Sequence, residues 1–320
     1  MLKKIIVLLL VALLLASILV GVGFGQAKSK NRQDERVRTV TIPISIFTKK
    51  ELKENRSDEF IQTGDLKVEE DKDEQVILSI RSVSNTPLAL AVLIQDDLTS
   101  ESNLKLDEIR RFIRGLPKGS RVMVAYLRAG ATQVRQKFTD DLDKAAKSLR
   151  IIAGSAALAP SSPYQGLEES LNRFDALPTG RRAVLLVSDG LDTSRGIESS
   201  SPSQSLDLDR AILRAQRKSV AVYSFYSPAS ATSGGNSLFV LNGQGSLNRL
   251  SEETGGRAFF QGSLAPISFE PFFDDLNRAL NRQFALTYLS THLRKGYHKI
   301  KVSSANPEVK IEHPRGYYYR

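Results

Sequence analysis

The stretch RRAVLLVSDGLDTSR, which runs from Arg181 to Arg195, decides the fold of this chain. Its continuous apolar run, from Ala183 to Val187, is typical of a strand that is buried on both faces of a parallel sheet. The run ends in Ser188-Asp189-Gly190, so a carboxylate and a flexible glycine follow the strand. In open α/β sheets, ligands bind at the carboxyl ends of the strands. The sequence therefore predicts a site at Asp189.

A second strand has the same form. The apolar run LALAVLI, from Leu88 to Ile94, leads into the polar segment QDDLTS, from Gln95 to Ser100. Because parallel strands bring their carboxyl ends to one edge of a sheet, we expect the two acidic loops to meet there. Such an edge suits a hard cation or a polar partner, since cations such as Mg²⁺ bind oxygen ligands.

These two loops resemble those of a von Willebrand factor type A (VWA) domain. In that family a DxSxS loop, a threonine loop and an aspartate loop form a metal-ion-dependent adhesion site. The layout from Val40 to Tyr319 is similar to one subgroup, the VWFA-related acidobacterial domain family. Three segments carry this closer resemblance: Asp96-Asp97-Leu98, LNRLSEETGGRAFF (Leu247–Phe260), and HPRGYYY (His313–Tyr319).

Strands and helices alternate over residues 87–282, which predicts a doubly wound, Rossmann-like α/β domain with a mostly parallel sheet. The predicted helices are 104–116, 141–152, 164–177, 208–218, 246–254 and 267–282, with a loop at 228–236 and a last strand at 257–261. Residues 121–128 and 132–138 read as a hairpin at the edge of the sheet.

Residues 39–86 and 283–320 contain short strands instead. We expect them to form one small β module that the α/β domain interrupts, because domain termini often lie close together. Pro43 marks the first of these strands, Val40–Phe47, as an edge strand.

The amino terminus has the features of a targeting segment. Lys3-Lys4 precedes a run of almost wholly apolar residues at 5–24, and Gly25-Gln26-Ala27 offers small residues for cleavage. Residues 1–27 are therefore predicted to be a cleaved signal peptide, or alternatively an uncleaved membrane anchor, and residues 28–38 a linker. Either way we expect the body to be exported: periplasmic, secreted, or anchored and facing outward.

Composition excludes several classes of function. The chain has 45 Lys+Arg against 35 Asp+Glu, but these charges are scattered without interleaved aromatics, so we expect no nucleic-acid partner. The absence of cysteine excludes disulfides and thiolate chemistry. The histidines, His292, His298 and His313, are far in sequence from the acidic loops, and no HExxH, GxSxG or P-loop is present. We therefore predict no enzyme, and interpret the histidines as surface or strand residues.

The resemblance implies a degenerate metal site. Asp96 takes the first acidic position, Ser100 the second serine, Ser162 the threonine position and Asp189 the third-loop aspartate. Leu98 stands where the first serine would be, and its side chain cannot coordinate a cation. Mg²⁺ is thus a possible cofactor, with water in the place that Leu98 leaves.

Two other interpretations of the same residues stay open. The frame Asp97-x-Thr99-x-Glu101 is a second arrangement of ligands. Alternatively, Asp96 and Asp189 cap helix N-termini or hold the loops by hydrogen bonds to backbone amides. Residues predicted to contact a partner are Asp97, Thr99 and Asp192.

The function predicted from these features is an exported, non-enzymatic protein that mediates protein binding or adhesion at this edge. Two alternatives remain: a structural or assembly component of the cell envelope without a metal site, and a metal-dependent hydrolase acting through Asp96 and Asp189. The partner is expected to be a protein, and contact with a membrane is expected only through residues 5–24 if they are uncleaved.

Overall fold

Two neighbouring strands form the centre of the fold in the computed structural model. They are β4 (Leu88–Gln95) and β7 (Arg181–Ser188), which pair in parallel with Leu90 opposite Ala183 and Ile94 opposite Val187. Their carboxyl ends are therefore level, and both acidic loops leave the sheet at the same edge, as predicted. The structure describes residues 37–48, 66–84, 86–154, 160–178, 180–196, 200–233, 237–262 and 264–319.

Four further strands complete this sheet, in the order β6-β5-β4-β7-β8-β9. All neighbours are parallel except the β5–β6 pair, which forms the predicted hairpin at the edge. The added strands are β5 (Arg121–Arg128), β6 (Ala131–Thr139), β8 (Ala221–Tyr226) and β9 (Ala258–Phe259). We call the residues that follow β4, β7 and β8 the carboxyl edge.

Helices cover both faces of this sheet. One hydrophobic cluster includes Ile109 and Leu276, and a second, on the opposite face, includes Leu167, Ile212 and Leu250. The fold is thus doubly wound, as predicted. The helices are α1 (Leu106–Arg114), α2 (Leu142–Lys147), α3 (Pro163–Leu171), α4 (Leu206–Lys218), α5 (Ser230–Ser233), α6 (Ser237–Thr254) and α7 (Glu270–Asn281), with 3₁₀ turns at Ser100–Lys105 and Asn172–Ala176.

Some predicted bounds are wrong. Helix α2 ends at Lys147 rather than at residue 152, because the next residues turn back toward β4. Helix α6 begins at Ser237, nine positions before the predicted 246, and α5 lies inside the segment predicted as a loop. The last strand, β9, has two residues. Residues 234–236 of the predicted loop lie outside the described residues.

The remaining strands form a seven-stranded antiparallel sheet in the order β12-β1-β10-β3-β2-β11-β13. Three of them precede the α/β domain and four follow it, so the prediction of an interrupted β module is confirmed. They are β1 (Arg38–Thr48), β2 (Leu66–Glu70), β3 (Asp73–Ser82), β10 (Gln283–Ser290), β11 (Gly296–Ser304), β12 (Val309–Glu312) and β13 (Gly316–Tyr319).

The edge position that Pro43 predicts for β1 is only partly correct. Strand β10 pairs with β1 from Arg38 to Ser45, whereas β12 covers its other side from Ser45 to Thr48. Pro43 therefore lies in the half of β1 that has one neighbour, where its missing N–H costs no ladder hydrogen bond.

The amino-terminal prediction concerns residues that the structure does not describe. The proposed signal peptide or anchor, 1–27, and the linker up to residue 36 lie outside the described residues. Among the residues that are described, no helix is long and apolar enough to cross a membrane.

Candidate functional site at the carboxyl edge

Asp189 is held directly beyond the end of β7 with almost no exposure to solvent. Its Oδ1 accepts a hydrogen bond from the Leu191 amide at 3.1 Å, and its Oδ2 accepts one from Thr232 Oγ1 at 3.4 Å. The backbone amide of Asp189 donates to Gln95 Oε1 at 3.1 Å. Asp189 is therefore fixed through its carboxyl by its own loop and by Thr232, and through its backbone amide by Gln95 at the end of β4.

This burial changes the acidity of Asp189. Burial raises its pKa to about 7, and the negative charge of Asp97 acts in the same direction. Hydrogen bonds from Leu191, Gln95 and Thr232 act to lower it. Near neutral pH the group therefore exists both as a carboxylate, which only accepts hydrogen bonds, and as a carboxylic acid, which can also donate one.

Close packing of helix α6 against the Asp189 loop depends on two glycines. A Cβ on Gly243 would lie 2.1 Å from the Asp189 carbonyl oxygen, and a Cβ on Gly190 would lie 2.4 Å from the Gly243 carbonyl oxygen. Gly190 also has φ +69°, a conformation that favours glycine. The buried Tyr164 hydroxyl donates to the Gly190 carbonyl at 2.6 Å. The loop is thus pinned between α3 and α6.

Gln95 is the functional residue that the sequence interpretation missed. Its Oε1 accepts from Ser188 Oγ at 2.5 Å as well as from the Asp189 amide, so it joins the ends of β4 and β7. The register of β4 against β7 could have identified Gln95. Since Ile94 pairs with Val187, Gln95 is the residue level with Ser188.

Asp96 lies beside Gln95 in sequence but is engaged by arginines. Arg150 donates to both of its carboxylate oxygens, at 2.7 and 2.8 Å, and Arg128 lies 3.6 Å away. The Ala153 amide donates to it at 3.3 Å. Burial acts to raise the pKa of Asp96, but Arg150 and these neighbours outweigh it and hold the pKa below its ordinary value.

Arg150 is itself held in place. Its guanidinium lies 4.1 Å from the centre of the Tyr126 ring, and its backbone carbonyl accepts from the Tyr126 hydroxyl at 2.6 Å. The pair Asp96–Arg150 therefore closes the segment after α2 onto the end of β4. This arrangement matches the alternative in which Asp96 holds a loop.

The rest of the first loop is docked on the segment after β8. Leu98 is fully buried in the hydrophobic core and forms a β-bridge with Ala229, while the Thr99 amide donates to the Pro228 carbonyl at 2.9 Å. Thr99 Oγ1 donates to Glu101 Oε2 at 2.9 Å, and Ser100 is exposed at the start of a 3₁₀ turn. Leu98 thus has a packing role.

Asp192, predicted to contact a partner, is buried. Its carboxylate accepts from Ser194 Oγ at 2.7 Å and from Ser205 Oγ at 2.5 Å. Ser205 in turn caps helix α4, accepting from the Leu208 amide at 3.1 Å. Asp192 therefore ties its loop to the start of α4, whereas Asp97 and Thr99 remain partly exposed.

The turn that contains Ser162 lies beside the Asp189 loop, as the VWA resemblance implies. The Thr193 amide donates to the Ser161 carbonyl at 2.8 Å, and the Ser161 amide donates to Thr193 Oγ1 at 3.1 Å. The Ser162 hydroxyl is buried and has no hydrogen-bond partner within the described part of the chain. Ser162 and Asp189 are thus brought to one side of the edge.

The residues present do not fit a magnesium site of the predicted form. Mg²⁺ demands near-octahedral oxygen ligands and is usually held by one or two carboxylates. Both oxygens of Asp96 are taken by Arg150, Leu98 is in the core, and Ser100 is on the surface. Asp189 and Ser162 remain, and they supply one carboxylate and one hydroxyl, fewer protein ligands than the predicted site.

Solved structures similar to this chain include VWA domains. A von Willebrand factor type A protein from Catenulispora acidiphila is 10% identical, with a TM-score of 0.42 over 82% of this chain and 65% of that one. The vWF domain of the type V pili tip protein Mfa5 from Porphyromonas gingivalis is 11% identical, with a TM-score of 0.41 over 63% and 96%. An aerotolerance-related membrane protein from Bacteroides fragilis is 13% identical, with a TM-score of 0.40 over 61% and 98%.

No family model matches the chain, and no curated protein sequence matches it significantly. The fold therefore rests on the strand order described above, and the function rests on the site.

Three exposed leucines belong to segments that adjoin the site. Leu241 is 66% exposed and Leu264 is 76% exposed. Leu264 and Thr232, the residue that donates to Asp189, line the same cavity of about 260 Å³. Leu238, one turn before Leu241 on α6, is also exposed. We call Leu238, Leu241 and Leu264 the apolar rim.

Proposed function

We propose that this chain is an exported, non-enzymatic protein that binds a protein partner through its carboxyl edge. The observation that carries the proposal is the apolar rim, whose members lie on α6 and in the wall of the cavity that Thr232 also lines. Apolar side chains clustered at one place on a soluble surface mark interaction sites, because covering them releases water. The partner would place apolar side chains on the rim.

A second pair of exposed apolar side chains extends this surface. Leu104 and Ile151 are both exposed, and their neighbours Asn103 and Ile152 are joined by two hydrogen bonds. These residues belong to the 3₁₀ turn that follows the first loop and to the segment after α2. The partly exposed Asp97 belongs to the loop between the two apolar areas, so it can give a partner a polar contact at the centre of the surface.

We propose further that recognition here rests on shape and hydrogen bonds rather than on a bound cation. The ion pair of Asp96 with Arg150 and the burial of Leu98 support this, because they remove the donors that a cation at this edge would need. Asp189 is buried, so it would act by holding its loop in shape rather than by contacting the partner.

Export is proposed from the amino-terminal sequence alone. Lys3-Lys4, the apolar run 5–24 and the small residues up to Ala27 support a signal peptide. Sequencing the amino terminus of the protein recovered from the envelope fraction of expressing cells tests this. A mature terminus close to residue 28 would support cleavage, and an intact Met1 in the membrane fraction would instead support an anchor.

Crosslinking with mass spectrometry tests the binding surface. Full-length chain in envelope extract is crosslinked, and the crosslinked positions on this chain are mapped. We expect them near the rim, and we expect Leu241→Ser combined with Leu264→Ser to lose them. The matched control is Val76→Thr, since Val76 is 65% exposed in the other sheet. Crosslinks lost equally in the control would contradict the proposal, and crosslinks joining two copies of this chain would favour the assembly role.

A further inference from the structure

A second cluster of polar side chains lies in the β module, away from the carboxyl edge. It contains Asp71, in the turn between β2 and β3, His298 on β11, and His292 in the connection before β11. One ligand atom from each of these residues lies within 4.8 Å of the others. His298 is on a strand, as expected, but it is only 4% exposed. Neither the fold nor the carboxyl edge accounts for this grouping.

The hydrogen bonds of His298 fix the state of its ring. Nε2 lies 2.6 Å from the Arg294 carbonyl oxygen, which can only accept, so Nε2 carries a hydrogen. In the neutral ring Nδ1 then has a lone pair, and it faces Asp71 Oδ2 at 2.8 Å and Glu70 Oε1 at 3.2 Å. A lone pair that faces carboxylate oxygens is repelled by them, so either a proton or a metal cation lies between the nitrogen and the oxygens. Metal-binding histidines almost always donate their other N–H in this way.

His292 points into the same cluster. Its Nε2 lies 3.2 Å from Asp73 Oδ2, the first residue of β3, yet it is buried and makes no hydrogen bond to any described residue. The rings of His292 and His298 have their centres 6.0 Å apart. Ligand atoms of Asp71, His292 and His298 therefore lie together at the β2–β3 turn, and Asp73 lies against His292 at the edge of this group.

Three carboxylates lie against the two histidines. Glu70 is fully buried; its Oε1 accepts from the Tyr317 hydroxyl at 2.7 Å, while its Oε2 has no partner among the described residues. The guanidinium of Arg38 donates to Glu70 at 3.4 Å, whereas Asp71 and Asp73 are exposed and face the two histidines. A divalent cation bound here would compensate the negative charge of these carboxylates, including that of the buried Glu70.

We propose that Asp71, His292 and His298 bind a divalent transition metal of the Zn²⁺ class, with Asp73 as the fourth ligand. Imidazole nitrogens combined with carboxylate oxygens suit Zn²⁺, whereas Mg²⁺ prefers oxygen ligands alone. Tetrahedral Zn²⁺ with bonds of about 2.0–2.1 Å places its ligand atoms roughly 3.3 Å apart. The separations of 2.8 Å (His298 to Asp71) and 3.2 Å (His292 to Asp73) are close to that value.

The site would join the two parts of the β module. Asp71 and Asp73 come from the amino-terminal strands, and His292 and His298 from the strands that follow the α/β domain. The chain has no cysteine and therefore no disulfide to hold these parts together. Because metal binding to a folded site adds to folding free energy, the metal would stabilise the module.

Calorimetric titration of the full-length chain, purified in mild detergent and stripped of metal with a chelator, tests the proposal. We expect one equivalent of Zn²⁺ to bind and the melting temperature to rise with it, and we expect Mg²⁺ to do neither at this site. Co²⁺ at one equivalent should give the intense visible absorption of four-coordinate cobalt. If the wild-type chain binds no Zn²⁺, a proton rather than a metal lies between His298 and Asp71, and the proposal is overturned.

Two matched histidine variants locate the binding. His292→Gln should weaken Zn²⁺ binding roughly a hundredfold or more, since even partners of metal ligands contribute about ten- to hundredfold. His313→Gln is the control, because His313 Nε2 accepts from the Val302 amide outside the cluster. Equal Zn²⁺ affinity in His292→Gln and wild type would overturn the proposal. If His292→Gln does not fold, Asp73→Asn, at a more exposed ligand, takes its place with the same expected direction.

Discussion

Asp96 and Asp189 are two buried carboxyl groups of the same edge whose neighbours give them opposite acidities. Arg150 surrounds the first with hydrogen bonds and its pKa is lowered, although burial alone would raise it. The second has amide and hydroxyl donors but no arginine, and burial raises its pKa to about 7. One therefore acts as a permanent anion that holds a loop, and the other as a group that titrates near neutral pH.

The ion pair of Asp96 gives the first prediction. Arg150→Ala should lower the free energy of unfolding by about 3 kcal/mol, because it leaves a buried carboxylate without its partner. Arg128→Ala, which removes an exposed arginine 3.6 Å away, should cost no more than about 1 kcal/mol. Urea denaturation of both variants measures the difference. Equal costs would show that Asp96 does not depend on the Arg150 pair.

The contribution of the Asp96–Arg150 pair to stability should also depend on pH. The folded pKa of Asp96 lies below the ordinary 3.8, so its stabilising contribution is present above that value and is lost as the pH falls through the folded pKa. The gap between wild type and Arg150→Ala should therefore shrink on acidification below pH 3.8.

Asp189 should show the opposite pH dependence. Because its pKa is raised from 3.8 to about 7, the folded state binds more protons than the unfolded state, and stability falls as the pH rises through that window. Asp189→Asn removes this titration, so the variant should gain roughly 2–3 kcal/mol relative to wild type between pH 5 and pH 8. Asp97→Asn should move the midpoint to lower pH. A pH-independent difference between Asp189→Asn and wild type would contradict the account.

A substitution at Leu98 tests whether this residue is a packed core residue or stands at the position of a lost metal ligand. Leu98→Ser should cost about 3 kcal/mol, because it opens a cavity in the core and buries a hydroxyl. Leu104→Ser, at an exposed leucine of the neighbouring 3₁₀ turn, should stay within about 0.5 kcal/mol. Melting curves and a Mg²⁺ titration measure both effects. Tighter Mg²⁺ binding by Leu98→Ser without lost stability would restore the metal interpretation.

The sequence was sufficient to place Asp189 but not to assign Asp96. An apolar run followed by an aspartate indicates a strand end by itself, whereas the partner of Asp96 is Arg150, 54 residues away. Arg150 fell inside a predicted helix, so no local pattern showed that it turns back. Gln95 was missed because the DxSxS motif of the VWA family begins at the next residue, Asp96.

At the scale of elements, α6 packs so closely against the Asp189 loop that the contact leaves no space for an added methyl group. Gly243→Ala should destabilise the fold by about 1–3 kcal/mol, because the added Cβ would lie 2.1 Å from the Asp189 carbonyl oxygen. Helix propensity alone would favour alanine by about 1 kcal/mol.

Gly245→Ala is the matched control on the same helix. Its Cβ would meet the Pro202 side chain at 3.0 Å, which a small shift relieves, so we expect a change within about 0.5 kcal/mol. Thermal denaturation compares the two variants. A neutral Gly243→Ala would show that α6 packs less closely on the site than these distances indicate.

Glycines also explain why α6 was predicted too short. Gly243 and Gly245 interrupt the pattern from which a helix is inferred, although Val240, Leu247 and Leu250 continue its buried face. The buried strands β4 and β7 were predicted closely, since apolar runs of this length that are bounded by polar turn residues favour strands over helices. Helix ends that serve a site, such as the early end of α2, depend on tertiary contacts instead.

At the scale of the whole molecule, the β module and the α/β domain meet at Arg181. Its guanidinium donates to the Gln283 side chain and the Leu280 carbonyl at 2.8 Å, and to the carbonyls of Ser84 and Thr86. These are the places where the chain enters and leaves the α/β domain. The interruption of the β module by the α/β domain was predictable from the strands at both ends of the chain. The contacts of Arg181 were not predictable in this way.

The joined architecture predicts that the body folds without the apolar amino terminus. The fragment Arg36–Arg320 should be soluble, monodisperse and folded, with a mixed α/β circular dichroism spectrum, because Val37–Arg320 forms one unit with its own cores. An aggregated or unfolded product under mild conditions would contradict this assignment.

In the proposed function, a protein partner docks on the apolar rim of the carboxyl edge without a cation there. Quantitative capture of the crosslinked partner, with and without millimolar Mg²⁺, tests it most directly. We predict that Leu241→Ser with Leu264→Ser reduces capture at least tenfold, about 1.4 kcal/mol, that Val76→Thr leaves it unchanged, and that Mg²⁺ has no effect. Capture that requires Mg²⁺ and tolerates the rim substitutions would contradict the claim.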